Sequence, residues 1–496
     1  MPDHTVTLGI DIGSSATKAV LVDLERGVIA SASRPVALIS PQPGWAEAEP
    51  GVWWHNVSSL VGELLVSSGL SSNDVTAVAC AGMVPAVLCL DSSGNPLAPA
   101  ILQNDARATA EITELSDELE SVDLLQRTGS VLSQQSVAPT VRWLQRQQHE
   151  LWSETSLVVG SYDWMAIALG ARPHIEQNWA LESGLFDFDG QPVQEVWDAV
   201  GLDRRLVPEI VQSSSIVGEV SPQAAAHTGL RAGTAIAVGG ADHVLSAYGA
   251  GLAEQGDWLI KLGGAGDILA VSQDPLLDRR LYLDAHPVSG LWLPNGCMAT
   301  SGSLLRWLQA IFGGPALGTL DEEAAREDPA ALICLPYFLG EKSPHHDPDL
   351  RGAFIGLHLG TSRGSMYRAA LEAIAYGFRQ HQEILTELDL KLGQPRVTNG
   401  GSKSTLWKQI LADVLQQPLS PVIDHPGASL GAAIAAAMGT GVMASWDAIG
   451  EFVRLGPPIE PRSETAAVYE EGYTLYNTLD TAIRPLSHAL ARRGRS

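Results

Sequence analysis

The chain contains little cysteine for a length of 496 residues. Its four cysteines, Cys80, Cys89, Cys297 and Cys334, lack the close spacing of metal-binding cysteines. So few cysteines in so long a chain are typical of reduced thiols in a cytosol. Three of the four lie in apolar runs, and we expect these in a core.

Basic residues are also few. The chain has 31 Lys and Arg against 56 Asp and Glu, which gives a formal net charge of −25. Such a charge repels a phosphate backbone, so we expect no nucleic-acid partner. An anionic substrate requires local positive charge or a metal.

Long apolar runs are missing as well. The longest, such as AAIAAAM at 432–438, fall far short of the roughly 20 residues that span a bilayer. The opening MPDHTVTLGI leads directly into an expected strand and lacks the basic, apolar and small-residue regions of a secretion signal. We therefore expect a cytoplasmic protein with no membrane partner.

The length predicts two domains of about 200 to 250 residues each. We place an N-terminal domain at residues 1–250, a C-terminal domain at 251–445 and a helical tail at 446–496. The closing helix is expected over 468–491, with an interruption at Pro485.

Residues 7–23 read TLGIDIGSSATKAVLVD, two apolar runs that flank a short polar stretch. This pattern predicts a strand-turn-strand hairpin. Its tip offers what a polyphosphate needs: a glycine for close backbone approach, two hydroxyls, a cation and a carboxylate that can hold Mg²⁺ through water. These are Gly13, Ser14, Ser15, Lys18 and Asp11. An ordinary hairpin with a polar tip is the alternative.

A second group of candidate residues follows the buried strand expected at 235–238. There Asp242 follows Gly239, Gly240 and Ala241, and a small-residue helix is expected to start at the next residue, His243. Amides at a helix start keep a carboxylate ionised, although Asp242 could instead be only an N-cap. The same two interpretations apply to Asp105, which lies before a helix expected near Thr109.

Residues 258–271 repeat the opening arrangement, with Gly263, Gly264, Ala265 and Gly266 between two apolar strands. Two such hairpins, one in each half, indicate duplicated domains that face each other across a cleft; two unrelated glycine turns are the alternative.

Residues 397–407, VTNGGSKSTLW, read as strand, glycine turn and helix start, which is weak evidence for a nucleoside site. The strand expected at 75–80 ends in a turn that is a candidate substrate edge. The stretch 144–180 reads as an insertion over a site.

Nine segments occur in an order and spacing that resemble the FGGY carbohydrate kinases, most of all their xylulose kinase branch, from Leu8 to about Gly441. They are DIGSSATK, AGMVPAV, ILQNDAR, GGADH, LGGAG, LPYFLGEKSPHHDPDLRGAFIGL, RAALEAIAYGF, GGSKSTLWKQILADVLQQPL and GASLGAAIAA. The resemblance implies an α/β fold of two ribonuclease-H-like domains of the actin-like ATPase type around a central cleft. It also implies ATP and Mg²⁺ as cofactors and a small sugar or polyol as substrate.

The resemblance assigns roles to individual residues. Asp242 matches the catalytic base, and Asp11 is expected to hold Mg²⁺ through water. The ATP phosphates are assigned to Gly13, Ser14, Ser15, Lys18, Gly263, Gly264, Ala265 and Gly266. The adenosine is assigned to Gly400, Gly401, Ser402, Lys403 and Trp407, and the substrate to Met83, Val84, Asn104, Asp105 and Asp242. Asp242 would then accept a hydroxyl proton as that oxygen attacks the γ-phosphorus in line.

The chain departs from the xylulose kinase pattern at three places. Val84 and Pro85 stand where a His-Gly pair is usual, and Gln103 stands where a Trp is usual. The second phosphate turn has lost its two hydroxyls at Gly264 and Ala265. The first two changes leave the identity of the sugar open.

The leading hypothesis is an ATP-dependent kinase of a pentulose such as xylulose, with ribulose, a tetrulose or a polyol as alternatives. A nucleotide-driven conformational switch is a second hypothesis, and the intact Asp242 argues against it. A non-catalytic sugar sensor is the third, favoured by the hydroxyls missing at Gly264 and Ala265. A homodimer is left open.

Overall fold

The computed structural model describes residues 5–494 of the chain. Two compact units, each described by itself, divide these residues. Unit 1 contains the chain up to Ala253 together with Leu283–Trp292 and Pro426–Val453. Unit 2 contains Glu254–Tyr282, Leu293–His425 and the chain from Arg454 onward.

The units differ from the contiguous domains expected from the sequence. Their first boundary, at Ala253, lies close to the expected residue 250. Residues 283–292 and 426–453, in contrast, pack with unit 1 although they lie beyond that boundary in the chain. Local sequence patterns do not show contacts between segments that lie far apart in the chain.

Strands and helices alternate along the chain, as expected for an α/β protein. The strands are β1 (Val6–Ile12), β2 (Ala16–Asp23), β3 (Gly27–Pro35), β4 (Glu47–Ala48), β5 (Val75–Gly82), β6 (Leu88–Leu90), β7 (Ala100–Ile101), β8 (Leu157–Val159), β9 (Ile175–Glu176), β10 (Ile210–Val211), β11 (Ile216–Glu219), β12 (Ala235–Ala241), β13 (Trp258–Leu262), β14 (Gly266–Ala270), β15 (Tyr282–Ala285), β16 (Trp292–Met298), β17 (Ile333–Leu335), β18 (Ala353–Ile355), β19 (Arg396–Thr398), β20 (Ser420–Ile423) and β21 (Arg454–Leu455).

The helices are α1 (Pro50–Ser68), α2 (Thr109–Glu118), α3 (Leu124–Thr128), α4 (Val137–Gln147), α5 (His149–Glu154), α6 (Ser161–Leu169), α7 (Gln177–Glu182), α8 (Gln194–Val200), α9 (Pro222–Thr228), α10 (Asp242–Gly249), α11 (Gly302–Ile311), α12 (Leu317–Ala324), α13 (Arg363–Glu387), α14 (Thr405–Leu415), α15 (Ala428–Gly439) and α16 (Ala466–Gly494). Short 3₁₀ turns lie at Arg204–Leu206, Gly400–Lys403, Trp446–Phe452 and Ser463–Thr465.

The central sheet of unit 1 has the strand order β11-β12-β5-β1-β2-β3. Strands β12, β5 and β1 run parallel, while β2, β3 and β11 pair antiparallel with their neighbours. Because the inner strands are covered on both faces, they read as continuous apolar runs. All seven residues of β1 are buried.

Helix α15 packs against this sheet through small residues. A Cβ at Gly9 would lie only 1.9 Å from the carbonyl oxygen of Ser429, so the helix backbone lies directly on β1. Ala432 and Ala436 of the same helix join Ala79 of β5 in a buried cluster. This close packing explains why α15, which lies beyond Ala253 in the chain, belongs to unit 1.

In the sheet of unit 2, the strands β16, β14, β13, β19, β20 and β21 are neighbours in that order. Strands β13 and β19 are parallel, and β13 and β14 form the second predicted hairpin. The 25-residue helix α13 contributes buried side chains along most of its length to the core of this unit.

Two local expectations are wrong. Helix α16 continues through Pro485. Proline has no N–H to bond the carbonyl of Thr481, but both residues are exposed, so water can take the place of that bond. The stretch 144–180 is not an insertion: it contains β8, α6, β9 and part of α7, and Trp179 is fully buried.

Cys80, Cys89 and Cys334 are buried free thiols, as their apolar surroundings predict. Across residues 5–494, none of the helices combines the length and apolar character needed to cross a bilayer.

Candidate active site

The first hairpin has the predicted form. Strands β1 and β2 pair antiparallel, and the amide of Gly13 donates to the carbonyl of Ala16 at 3.1 Å. A Cβ at Gly13 would lie 2.7 Å from that same carbonyl oxygen, so this tight turn requires glycine. Ser14 and Ser15 form its exposed tip. The turn therefore presents two hydroxyls and backbone amides to solvent.

A pair of opposite charges lies directly behind the turn. Asp11 and Lys18 are cross-strand partners, and their carboxylate and ammonium are 3.7 Å apart. The Asp11 side chain is 9% exposed, whereas that of Lys18 is 48% exposed. The cation can therefore reach a ligand above the turn while Asp11 stays at its base.

Asp242 lies at the same edge of the sheet as this turn. In the parallel ladder Ala241 is opposite Gly82, and Gly82 is opposite Ile12. The residues that follow these three are Asp242, Met83 and Gly13. Unit 1 thus brings together the predicted base, one predicted substrate residue and the first phosphate turn.

A register shift and one close contact set the local path of β12 towards Asp242. The ladder between β12 and β5 shifts by one residue between Val238 and Gly240. At the intervening Gly239, a Cβ would lie 1.9 Å from the carbonyl oxygen of Cys80. Any larger residue would therefore push β12 away from β5 just before Asp242.

Asp242 is the first residue of α10, not its N-cap. The cap is Ala241, which has no capping side chain. The side chain of Asp242 is 34% exposed, and the amides of the first helical turn favour its ionised form. The N-cap interpretation is therefore wrong, and the carboxylate belongs to the first turn of the helix.

Sequence reasoning missed a cluster around the next residue. His243 Nε2 lies 2.7 Å from Asp284 Oδ2, and His243 Nδ1 lies 3.6 Å from Asp242 Oδ1. Glu182 also belongs to this cluster: one ligand atom from each of Glu182, His243 and Asp284 lies within 4.8 Å of the others. Asp284 is 41 residues further along the chain, and no pattern in the sequence links it to His243.

The charges of this cluster follow from its burial. Burial opposes a charge on His243, but Asp284, Asp242 and Glu182 outweigh it and raise the pKa of His243 well above its ordinary value. Burial, and then the charge of Asp284, raise the pKa of Glu182 well above its ordinary value. The cluster therefore favours the charged form of His243 and the neutral form of Glu182.

The predicted substrate residues Met83 and Val84 are buried, at 1% and 4% exposure. The amide of Met83 donates to the carbonyl of Ile12 at 3.3 Å, and the hydroxyl of Ser161 donates to the carbonyl of Met83 at 3.1 Å. Hydrogen bonds at its amide and at its carbonyl therefore fix the main chain of Met83, and the side chain of Val84 contributes only apolar surface.

Asp105 has a different environment. Its carboxylate accepts from the amide of Ala46 at 2.5 Å and from the amide of Arg107 at 2.8 Å. The guanidinium of Arg107 also binds this carboxylate and lies 3.8 Å above the ring of Trp45. Asp105 therefore holds two loop segments together and does not cap α2, whose N-cap is Ala108. The neighbouring Asn104 is exposed.

Unit 2 brings its two predicted nucleotide segments together. Lys261 in β13 is opposite Thr398 in the parallel strand β19, so the turns that follow these strands share one sheet edge. A Cβ at Gly263 would lie 3.4 Å from the side-chain nitrogen Nδ2 of Asn399. The second phosphate turn and the adenosine segment are thus neighbours.

The second phosphate turn, residues 263–266, is held from behind. The carbonyl of Gly263 accepts from the amide of Gly302 at 2.9 Å, and the carbonyl of Gly264 accepts from the amide of Ser301 at 2.8 Å. Ser303 donates its hydroxyl to the same carbonyl of Gly264 at 2.9 Å. Because these bonds use carbonyl oxygens, they leave the turn amides available to a ligand.

The adenosine segment contains an exposed part and a buried part. Gly400 and Lys403 are exposed, whereas Trp407 is 2% exposed. A Cβ at Gly401 would lie 2.3 Å from the ring of Trp407, so the indole packs directly behind the turn. The hydroxyl of Ser402 donates to the carbonyl of Asn399 at 2.7 Å. Trp407 therefore supports the turn from the core of the unit.

Each sheet edge carries a glycine turn, and behind each turn a lysine pairs with an aspartate: Lys18 with Asp11 in unit 1, and Lys261 with Asp267 in unit 2. Residues 6–249 match the N-terminal domain, and residues 262–440 the C-terminal domain, of the FGGY family of carbohydrate kinases. The chain belongs to this family. It is a carbohydrate kinase that uses ATP to phosphorylate a small sugar.

Similar proteins agree with this assignment. The chain is 39% identical to a solved structure of xylulose kinase from Rhodospirillum rubrum, with a TM-score of 0.90 over 97% of this chain and 100% of that chain. It is 28% identical to the xylulose kinase of Staphylococcus epidermidis over 96% of each chain. It is 24% identical to the gluconokinase of Bacillus subtilis over 90% of each chain. The expected two-domain α/β kinase fold is confirmed.

Proposed function

We propose that this protein transfers the γ-phosphoryl group of Mg-ATP to a hydroxyl of a pentulose such as xylulose, with Asp242 as the general base. The observation that carries this proposal is the common sheet edge of Asp242 and the Gly13 turn. The similarity to proteins named xylulose kinase supports the pentulose as acceptor.

Asp242 has the properties of a base for an alcohol. Its carboxylate is partly exposed at the first position of α10, so a bound hydroxyl can reach it. The carboxylate accepts the proton as the hydroxyl oxygen attacks phosphorus, because a neutral alcohol is a poor nucleophile. The loose transition state requires little more from the protein than positioning and charge stabilisation.

The first turn supplies donors for the phosphates. Ser14 and Ser15 offer hydroxyls and amides, and Lys18 offers a cation that reaches past the turn. Asp11 fits Mg²⁺ through water, because its carboxylate oxygens lie at the base of the turn and oxygen donors suit a hydrated Mg²⁺. When bound, Mg²⁺ neutralises charge on the phosphate oxygens.

Unit 2 supplies the second set of nucleotide contacts in this proposal. The amides of residues 263–266 bind phosphate without the hydroxyls that relatives place there. Gly400, Gly401, Ser402 and Lys403 line the adenosine, and Trp407 fixes the turn that carries them. On the acceptor side we assign Met83, Val84, Asn104 and Asp105 to the sugar; Asp105 acts through the loops that it joins.

The test is an assay of ADP release with ketopentoses, tetruloses and polyols as acceptors. We expect turnover only when an acceptor is present, and highest with a pentulose. The variant Asp242→Asn should bind ATP and sugar normally but lose about 10² or more in kcat. The exposed Asp117→Asn is the matched control and should behave as wild type.

The outcomes separate the competing functions. ATP hydrolysis that is indifferent to every acceptor would indicate a nucleotide switch. Sugar binding without turnover would indicate a sensor. Near-normal turnover of Asp242→Asn would remove Asp242 from the mechanism.

A further inference from the structure

The residue after the proposed base has both ring nitrogens directed at carboxylates. His243 Nδ1 is 3.6 Å from Asp242 Oδ1, which is an ion-pair distance, and Nε2 is 2.7 Å from Asp284 Oδ2, which is a hydrogen bond. The imidazole therefore links Asp242, at the sheet edge, to a carboxylate in the interior of unit 1.

Asp284 is a rigid partner for this ring. Its residue is 1% exposed. The next residue, Ala285, donates its amide to Asn178 Oδ1 at 2.7 Å and accepts from Asn178 Nδ2 at 3.0 Å. The amide of Asn178 in turn donates to Glu176 at 2.9 Å. The backbone that carries Asp284 is thus hydrogen-bonded to the start of α7.

The groups that face this ring are Asp242 from α10, Asp284 from β15 and Glu182 from the end of α7, with Glu176 behind them. Burial raises the pKa of Glu176 to about 8, and burial with the charge of Asp284 raises that of Glu182 well above its usual range. Both groups therefore favour their neutral form more than an exposed carboxylic acid does. The two carboxylates that face the ring, those of Asp242 and Asp284, favour its protonated form.

We propose that His243, held by Asp284, is a positioning residue for Asp242: the ion pair fixes the rotamer of the base and keeps it ionised while the sugar binds. This inference rests on the proposed role of Asp242. The imidazolium itself transfers no proton and breaks no bond. The 2.7 Å contact between His243 and Asp284 is shorter than the spacing of two ligand atoms on one metal ion, which supports a hydrogen bond between them.

The experiment compares His243→Gln and Asp284→Asn with the wild-type enzyme. We expect kcat to fall by about 10- to 10²-fold, as for a misplaced catalytic group, while KM for ATP changes by less than about threefold. The acid limb of the kcat profile should move to higher pH in His243→Gln, because the carboxylate loses an adjacent positive charge. A purely structural role for His243 would leave that limb in place. The matched control is His227→Gln, at an exposed position of α9.

The double variant Asp242→Asn/His243→Gln tests whether the histidine acts through Asp242. If it does, the double variant is no slower than Asp242→Asn alone. Multiplicative losses, or an unchanged kcat and pH profile in both His243→Gln and Asp284→Asn, would overturn the proposal. A stoichiometric metal ion in the purified enzyme that His243→Gln loses would overturn it too. An Asp242→Asn enzyme with full activity refutes the proposed base itself, which is a different result.

Discussion

The ammonium of Lys18 faces the carboxylate of Asp11 across the first hairpin, one register step from the turn. Lys261 and Asp267 form the same kind of pair, at 3.5 Å and at the same step, across the second hairpin. Opposite charges at this register step stabilise each antiparallel pair of strands. The similarity of the two hairpins favours a shared role for the two turns, in which the charged pairs stabilise the strands next to a bound ligand.

Lys18 is the cation of the first turn and should contribute to ATP binding. Lys18→Met keeps most of the aliphatic stem and removes the charge, so KM for ATP should rise about tenfold, the scale of one lost charge-assisted hydrogen bond. The exposed Lys391→Met is the control for net charge. Equal KM values for both variants would exclude Lys18 from the phosphate site.

The two glycines of the adenosine segment should differ in their tolerance of alanine. A Cβ at Gly401 would lie 2.3 Å from the Trp407 ring and 2.6 Å from Leu262, whereas no atom lies within 4 Å of a Cβ at Gly400. Overpacking a core costs about 1 to 3 kcal/mol, so Gly401→Ala should lower the melting temperature by several degrees. Gly400→Ala should leave it unchanged. Thermal unfolding of the pair, measured without nucleotide, checks this.

Glu341 should make stability depend on pH. Burial raises its pKa from 4.5 to about 8, although the amides of Ala299 and Lys342 oppose this by donating to one of its oxygens. The folded chain therefore keeps a proton that the unfolded chain releases. The contribution is complete below about pH 4.5 and is lost as the pH rises towards 8.

We expect the melting temperature to fall between pH 5 and pH 8, and Glu341→Gln to flatten this fall because an amide cannot ionise. Asp163 and Glu176, whose pKa values burial also raises to about 8, should leave a residual slope. The exposed Glu471→Gln is the control and should retain the wild-type slope. Parallel slopes for Glu341→Gln and wild type would mean that Glu341 is ionised in the folded protein.

The local elements of both sheet edges were predictable because each depends on neighbours in sequence. Alternating and continuous apolar runs gave β1, β2, β13 and β14, and the glycine turns between them were visible directly. The ordered motifs then identified the family. The position of Asp242 after a buried strand made it a candidate, and the resemblance to the family assigned it the role of base, which stays a prediction.

Relationships over long sequence distances were not predictable. Asp105 was weighed as a helix cap, but it bonds Ala46, 59 residues away. His243 was considered only as a helix start, because its partner Asp284 has no motif around it. The role of Trp407 as a support also depends on a contact with Gly401 that follows from the curvature of the 3₁₀ turn. Each of these depends on tertiary packing that no local pattern encodes.

The last prediction concerns the choice of sugar, where Val84 replaces the histidine that is usual in xylulose kinases. Val84 is 4% exposed and has no hydrogen-bonding group in its side chain, so a sugar hydroxyl placed against it would lose water without gaining a partner from this residue. A buried hydroxyl left unpaired costs about 1 to 3 kcal/mol, or roughly one to two decades in affinity. We therefore expect D-xylulose to have a lower kcat/KM than a ketose or polyol that lacks or reorients the hydroxyl nearest Val84.

Two variants at this position separate polarity from size. Val84→His restores an imidazole, and Val84→Thr adds a hydroxyl at almost unchanged volume, so both should shift the ratio of kcat/KM values towards D-xylulose. Val84→Ala, which adds space but no hydrogen-bonding group, should not. The measurement is kcat/KM for D-xylulose against D-ribulose, a tetrulose and a polyol for each variant. A wild-type enzyme that already prefers D-xylulose by a wide margin would show that another side chain satisfies this hydroxyl, and the explanation based on Val84 would then be wrong.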